Sequence, residues 1–129
     1  MKTEKYSSGA PLEEKVGYSR MVKAGNLVMI GGTTSVQSDG SVYGVDDPYE
    51  QAKYIFDKQV KLLEQAGAKA DDVVKVMAYL THMKDCAEVS RAYSELFHDV
   101  KPLFTAVGTS ELNRPTQLME IEMTAILAE

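Results

Sequence analysis

The clearest pattern of the chain lies near its C-terminal end, in Leu118-Met119-Glu120-Ile121-Glu122-Met123-Thr124-Ala125-Ile126-Leu127. Successive side chains of an extended strand face opposite ways, so Met119, Ile121, Met123, Ala125 and Leu127 share one face while Glu120, Glu122 and Thr124 share the other. Tyr18 to Ala24 also alternates, Gly25-Asn26 offers a tight turn, and Leu27-Val28-Met29-Ile30 reads as a buried strand ended by Gly31-Gly32. Together these predict a hairpin. Ser38-Asp39-Gly40-Ser41 predicts a further turn. Asp47-Pro48-Tyr49-Glu50 combines a capping Asp, a Pro at the first helical position and a Glu three residues after the cap. Ala52, Ile55, Phe56, Val60, Leu63 and Ala66 then recur about every 3.6 residues, and Gly67 ends the helix.

Val73 to Thr81, rich in β-branched and aromatic residues, predicts a strand. Asp85-Cys86-Ala87-Glu88 repeats the acid-led helix start, and Val89, Ala92, Tyr93, Leu96 and Phe97 form the apolar stripe of a second helix. Two more strands follow Lys101-Pro102, over 103–110 and 118–128, joined by a polar turn holding Asn113-Arg114-Pro115. The order strand, strand, helix, strand, helix, strand, strand predicts a single α+β domain over 1–129, a mixed sheet with both helices on one face. The polar segment 1–15 is expected to be loosely ordered. The other sheet face, carrying residues such as Met77 and Tyr79, would be covered by self-association.

Composition narrows the class. With 129 residues, 44% of them hydrophobic, the chain can bury a core. No stretch approaches the roughly 18 to 20 apolar residues that span a bilayer, and the start Met1-Lys2-Thr3-Glu4-Lys5-Tyr6 lacks a signal-peptide pattern. Cys86 is the only cysteine, which fits a reducing compartment; a soluble cytoplasmic protein with no membrane partner is expected. Against 19 acids stand 14 scattered Lys and Arg, for a net charge of −5, with no basic stripe to neutralise phosphates, so no nucleic-acid partner is expected.

Standard catalytic constellations are missing. His82 and His98 have no ligand-spaced partner, so no metal is expected, and no nucleophile elbow, P-loop or dinucleotide fingerprint is present. Cys86 has no general base nearby in sequence and reads as a small buried residue. An unpaired buried carboxylate is costly, so Glu120 either lines a wet cavity or has a partner, unless its strand face is simply solvated. Small and polar groups at strand ends, Tyr18, Gly31-Gly32-Thr33, Ser90 and Thr105-Ala106, are the other candidates. Backbone N–H groups near such positions can hold an oxyanion, and a neighbouring carboxyl can move a proton.

Tyr18-Ser19-Arg20-Met21-Val22, followed by Gly25 to Thr33, resembles the segment Y-S-x-A-V…G-x-x-(V/I)-x-x-S-G-Q of the YjgF/YER057c/UK114 family, also called the Rid or reactive intermediate deaminase family. Val73 to Met83 with Glu88-Val89-Ser90-Arg91-Ala92-Tyr93 resembles its central strand and second helix. Pro102 to Val107 and Met119-Glu120-Ile121-Glu122 resemble its P-A-R-x-x-V and V-E-I-E elements. The resemblance implies a chorismate-mutase-like fold and a homotrimer with small-molecule ligands in clefts between subunits. It also implies cofactor-free and metal-free hydrolysis of 2-imino or 2-enamino acids, with a glutamate, here Glu120, handling the attacking water. Tyr18, Gly31, Gly32, Thr33, Ser90, Phe104, Thr105 and Ala106 would bind the substrate.

One departure matters. The family's carboxylate-gripping arginine falls on Phe104, which cannot make a bidentate contact. The site is therefore expected to favour a neutral, more apolar ligand and to hydrolyse 2-aminoacrylate poorly. Arg20, Arg91 and Arg114 are each expected to be exposed rather than to replace the lost cation. A non-catalytic trimer that binds a metabolite or protein in the same cleft is the competing expectation; ribonuclease activity, reported for relatives, is disfavoured by the acidic balance.

Overall fold

The computed structural model describes residues 2–128. Six strands form one sheet: β1 (Thr3–Tyr6), β2 (Met21–Ala24), β3 (Leu27–Thr33), β4 (Val73–Leu80), β5 (Leu103–Gly108) and β6 (Met119–Ile126), in the spatial order β1-β2-β3-β6-β4-β5. Only the β4–β5 pair is parallel, and α2 (Cys86–Phe97) connects it; α1 (Pro48–Gln65) connects β3 to β4. The mixed sheet with two helices is the α+β architecture anticipated from the residue pattern.

The alternation of β6 has the expected consequence. Met119, Ile121, Met123 and Ala125 are fully or almost fully buried in the layer shared with the helices, against Ile55, Phe56 and Leu63 of α1 and Phe97 of α2. The helices meet edge-on, Phe56 to Phe97, with ring centres 5.9 Å apart. The Asp47 side chain accepts from the Glu50 N–H at 3.1 Å, capping α1 as its sequence requires. The second acidic start works differently: Asp85 closes a short 3-10 turn (Met83–Asp85), and its side chain makes no cap hydrogen bond to α2.

Two polar residues of α1 are buried and tie the helix to β6 and to the loop before it. Gln51 donates to the carbonyls of Gly44 and Thr116 at 3.1 and 2.9 Å and accepts from Leu118 N–H at 3.0 Å; Gln59 donates to Ile121 O at 2.9 Å. The loop before β6 is thereby tied to α1.

The N-terminal segment departs from its expected looseness. Thr3–Tyr6 pairs antiparallel with β2 along the sheet edge, and Glu13–Gly17 forms a π-helical turn in which Glu13 is only 4% exposed. Among the described residues no helix is long and apolar enough to cross a membrane.

The second sheet face has no layer over it. Met77 and Tyr79 of β4, half-buried, share it with Met29, Leu103 and Val107, of which Leu103 is 69% exposed.

Candidate functional site

Glu120 projects from the uncovered face of β6, directly opposite Tyr79 of β4. On its other side β3 carries a register irregularity between Ile30 and Thr33, where one extra residue is accommodated. That bulge places Gly32 beside Glu120 so tightly that a Cβ on Gly32 would overlap the Glu120 carboxyl, its Cδ lying 2.8 Å and its Cγ 3.0 Å from the added atom. A glycine is needed here for space.

Around this pair lies a small, partly open cleft with a free volume of about 60 Å³, walled by Leu12 from the N-terminal segment, Tyr18, Arg20, Thr34 and Arg114. The β5–β6 loop that brings Arg114 is anchored to the cleft floor through Gln117. Its Oε1 accepts from Arg114 N–H at 3.0 Å and its Nε2 donates to Thr34 Oγ1 at 3.2 Å. Glu120 and Gly32 also border a second hollow on the open sheet face, with Tyr79, Thr109 and Leu112, so the carboxyl is approachable from two sides.

Burial pushes the Glu120 pKa above the usual carboxylate range; the Arg20 charge pulls it back in part, and Glu122 pushes it up further. Arg20 is the cation of the cleft whose charge acts on Glu120. Its side chain is 11% exposed, its Nη1 donates to the Gly32 carbonyl, its Nη2 donates to the Tyr18 hydroxyl at 3.3 Å, and its Nε donates to Glu13 Oε2 at 3.0 Å. Glu13 in turn accepts from Ser7 Oγ at 2.7 Å, Ser8 N–H at 2.9 Å and Ser8 Oγ. Burial alone would raise the Glu13 pKa, but these hydrogen bonds outweigh it and hold the carboxyl below its ordinary value.

Two expectations about arginine are therefore corrected. Arg20 and Arg114 are both half-buried, the Arg20 side chain at only 11% exposure, and both line the cleft. Arg91 does lie exposed, paired with Glu88 at 2.7 Å and stacked over Tyr49. Two of the Arg20 partners, Glu13 and Gly32, are seven and twelve residues away, and the β-bulge and the buried Glu13 bring them together. Thr34, Gln117 and Glu13 carried no local signal.

The other candidates divide. Tyr18, Gly32 and Glu120 share the cleft. Thr33 is fully buried and donates to Gly31 O at 2.8 Å, while Gly31 is exposed on the open sheet face. Phe104 pairs in register with buried Val76 and stacks on Tyr93 of α2 with centroids 4.0 Å apart, on the helix side of the sheet. Ala106, in register with buried Ala78, packs against the core, and Ser90 lies on α2 beside Cys86 (Sγ···Oγ 3.9 Å). Thr105 is exposed opposite Met77. Within one chain, Phe104 and Glu120 are thus on opposite faces of the sheet. Among the described residues no group of three or more His, Cys, Asp or Glu is arranged to hold a metal ion.

Comparison with known proteins agrees with this fold. The family model described as Endoribonuclease L-PSP matches residues 9–127. An uncharacterized protein of Streptomyces coelicolor is 36% identical over 118 residues, 92% of this chain and 87% of that protein. A RutC family protein of Pyrococcus abyssi is 37% identical over 109 residues, 84% of each chain. The crystal structure of a Mycobacterium tuberculosis member of the YjgF/YER057c/UK114 family superposes with a TM-score of 0.87 at 32% identity, covering 98% of this chain and all of that one. With its sheet order, its two-helix layer and this match over nearly its whole length, the chain belongs to the YjgF/YER057c/UK114 (Endoribonuclease L-PSP) family.

Proposed function

We propose that the protein hydrolyses small imines or enamines, with Glu120 as the proton-transfer group. The observation that carries this reading is the Glu120 carboxyl itself: half-buried, raised in pKa, and seated in a cleft between Gly32 and Arg20. A carboxyl with a raised pKa is a better base than an ordinary one and can return the proton it has taken. Water adds to the carbon of the protonated C=N group as Glu120 takes one of its protons, forming a neutral carbinolamine. Glu120 then gives that proton to the nitrogen and takes the hydroxyl proton as the C–N bond breaks and the C=O bond forms; ammonia leaves and carries the last proton away from Glu120 as ammonium. Atoms and protons balance without a redox partner or a cofactor.

Phe104 alters the substrate preference by removing a cation from that position. Arg114, whose side chain makes no hydrogen bond among the described residues, is the cation left to meet an acidic group of the substrate. Arg20 has three of its five N–H groups committed to Glu13, Gly32 and Tyr18. The hollow on the open face beside Glu120 supports a cleft completed by a second copy of the chain, in a homotrimer of the kind the family resemblance implies. The cytoplasm is the proposed setting. A second reading, a trimeric binder of small metabolites without turnover, is favoured by one observation: Phe104 is engaged with Tyr93, which leaves no arginine at the family's position.

The test is ammonia release from imines generated in situ by amino-acid oxidation, using substrates with and without a carboxylate. Wild-type protein should accelerate release, and Glu120→Gln should abolish the acceleration with the fold intact. Equal acceleration by both proteins would remove Glu120 from the mechanism; binding of 2-oxo acid product without acceleration would favour the binder.

A further inference from the structure

We propose that Glu13 is the positioning residue of the cleft: anchoring Arg20 from behind, it fixes the guanidinium between the Gly32 carbonyl and the Tyr18 hydroxyl, where its charge faces Glu120. The proposal deepens the reading of Glu120 as the working group, but its test does not depend on hydrolysis.

The geometry is one of a forked donor held on three sides and a filled acceptor. A guanidinium has five N–H donors in a rigid fork, and a carboxylate has room for about four hydrogen bonds. Arg20 spends its fork in three directions, to Glu13 behind, Gly32 above and Tyr18 in front. Glu13 is filled by Ser7, the backbone and hydroxyl of Ser8, and Arg20. Both side chains are nearly excluded from water, at 4% and 11% exposure. A buried guanidinium without its carboxylate is strongly unfavourable, so removing the Glu13 charge drives Arg20 outward to solvent. Lys58, half-buried with its ammonium on the Val36 carbonyl at 3.1 Å, adds to this pressure, because its like charge lies close enough for Arg20 to lower its pKa.

The consequence falls on Glu120. The charged and titratable groups around it are Arg20 ahead of β2, Glu122 along β6, Tyr79 across on β4, Tyr18 on the cleft wall and Arg114 from the β5–β6 loop. Arg20 is the one whose charge favours the ionised form. With Arg20 displaced, burial and Glu122 remain, and both favour the protonated form. The N-terminal segment 7–17, polar as sequence, thus reaches the charge of Glu120 through the Glu13–Arg20 ion pair, besides walling the cleft with Leu12. A purely structural staple would alter stability and leave Glu120 unmoved.

The test is a carbon-13 NMR titration of the Glu120 carboxyl in full-length protein, assigned by its loss in Glu120→Gln. Glu13→Gln keeps the size and removes the charge; Glu13→Asp, milder, keeps the charge but shortens the reach, so the measurement survives if the first variant does not fold. Ser7→Ala is the control, since it loosens the same carboxylate on the side away from Arg20. The midpoint of Glu120 should rise by about one pH unit, a tenfold change in its protonation equilibrium, in Glu13→Gln. It should rise by less in Glu13→Asp and stay at the wild-type value in Ser7→Ala. An unchanged midpoint in both Glu13 variants, or an equal rise in Ser7→Ala, overturns the proposal. A rise in the Glu13 variants of a protein that proves to hydrolyse nothing would leave the positioning role standing and remove only the hydrolase reading.

Discussion

Replacing Gly32 by alanine separates stability from function. The added Cβ would lie 2.8 Å from Glu120 Cδ and 3.0 Å from Cγ, whereas carbon atoms rest about 3.5–4.0 Å apart. The Glu120 side chain must therefore retreat by roughly 0.5–1 Å, and it can do so because the obstructed atoms are its mobile end. A strained side-chain torsion costs about 0.5–1.5 kcal/mol. Against that, Gly32 is not among the positive-φ residues, so alanine adopts its backbone freely and gains about 0.4–1 kcal/mol by restricting the unfolded chain. The two contributions nearly cancel. A displacement of about 1 Å at a working group, however, costs on the order of 10²-fold in rate. Urea denaturation should thus find Gly32→Ala within about 1 kcal/mol of wild type, while ammonia release from imines falls on the order of 100-fold. Wild-type turnover in a normally stable variant would refute the claim that Gly32 exists to seat Glu120. A loss of more than about 2 kcal/mol would show that the bulge itself cannot take a methyl group.

Glu120→Gln should raise the urea midpoint at neutral pH and leave it unchanged near about pH 4. A folded-state pKa above the unfolded value gives stability that is full at low pH and is lost as pH rises through the folded value, so the benefit of removing the charge grows with pH. Glu13 has the opposite sign: its lowered pKa gives stability that is present above its unfolded value and lost as pH falls through its folded one, so Glu13→Gln should flatten the acid side of the stability profile. Phe104→Ala should destabilise by roughly 2 kcal/mol in urea, less than the about 3–5 kcal/mol of a fully buried Phe, because the ring is half-buried but stacked on Tyr93; a cost under about 0.5 kcal/mol would show the stack is not held in solution. For the proposed trimer, Met77→Glu, a charge in the uncovered face, should reduce the mass by light scattering from three chains to one; a wild-type mass of one chain would refute the trimer, and an unchanged three-chain mass would place its contact elsewhere.

Much of the fold was legible because its signals are local. The period-two pattern of β6, the Asp47 cap and the Gly25-Asn26 turn each act within a few residues, and each appears where the pattern places it. Strand β1 was not legible, because Thr3-Glu4-Lys5-Tyr6 is a polar edge strand ordered by pairing with β2 rather than by burial. Asp85 looked like the Asp47 cap, but the turn it closes leaves its carboxyl unable to serve α2. At the site, Glu120 stood out as an acid in an apolar run. Arg20 did not, since a cation before a strand is ordinarily solvated and its burial depends on Glu13 and on a bulge that no nearest-neighbour pattern encodes. Phe104 was assigned to the cleft by family likeness, and strand parity puts it on the opposite face within its own chain.

The central claim is that Glu120 faces a bound small molecule from a cleft shared with Gly32, Arg20 and Arg114. A crystal structure of the assembled protein soaked with a short 2-oxo acid, the product of the proposed reaction, tests it most directly. The account predicts the keto carbon about 3–3.5 Å from a Glu120 carboxyl oxygen, the separation from which a nucleophile can react, with the acid group on the Arg114 side. A ligand bound away from Glu120, or a Glu120 carboxyl turned into open solvent in every copy, would contradict it.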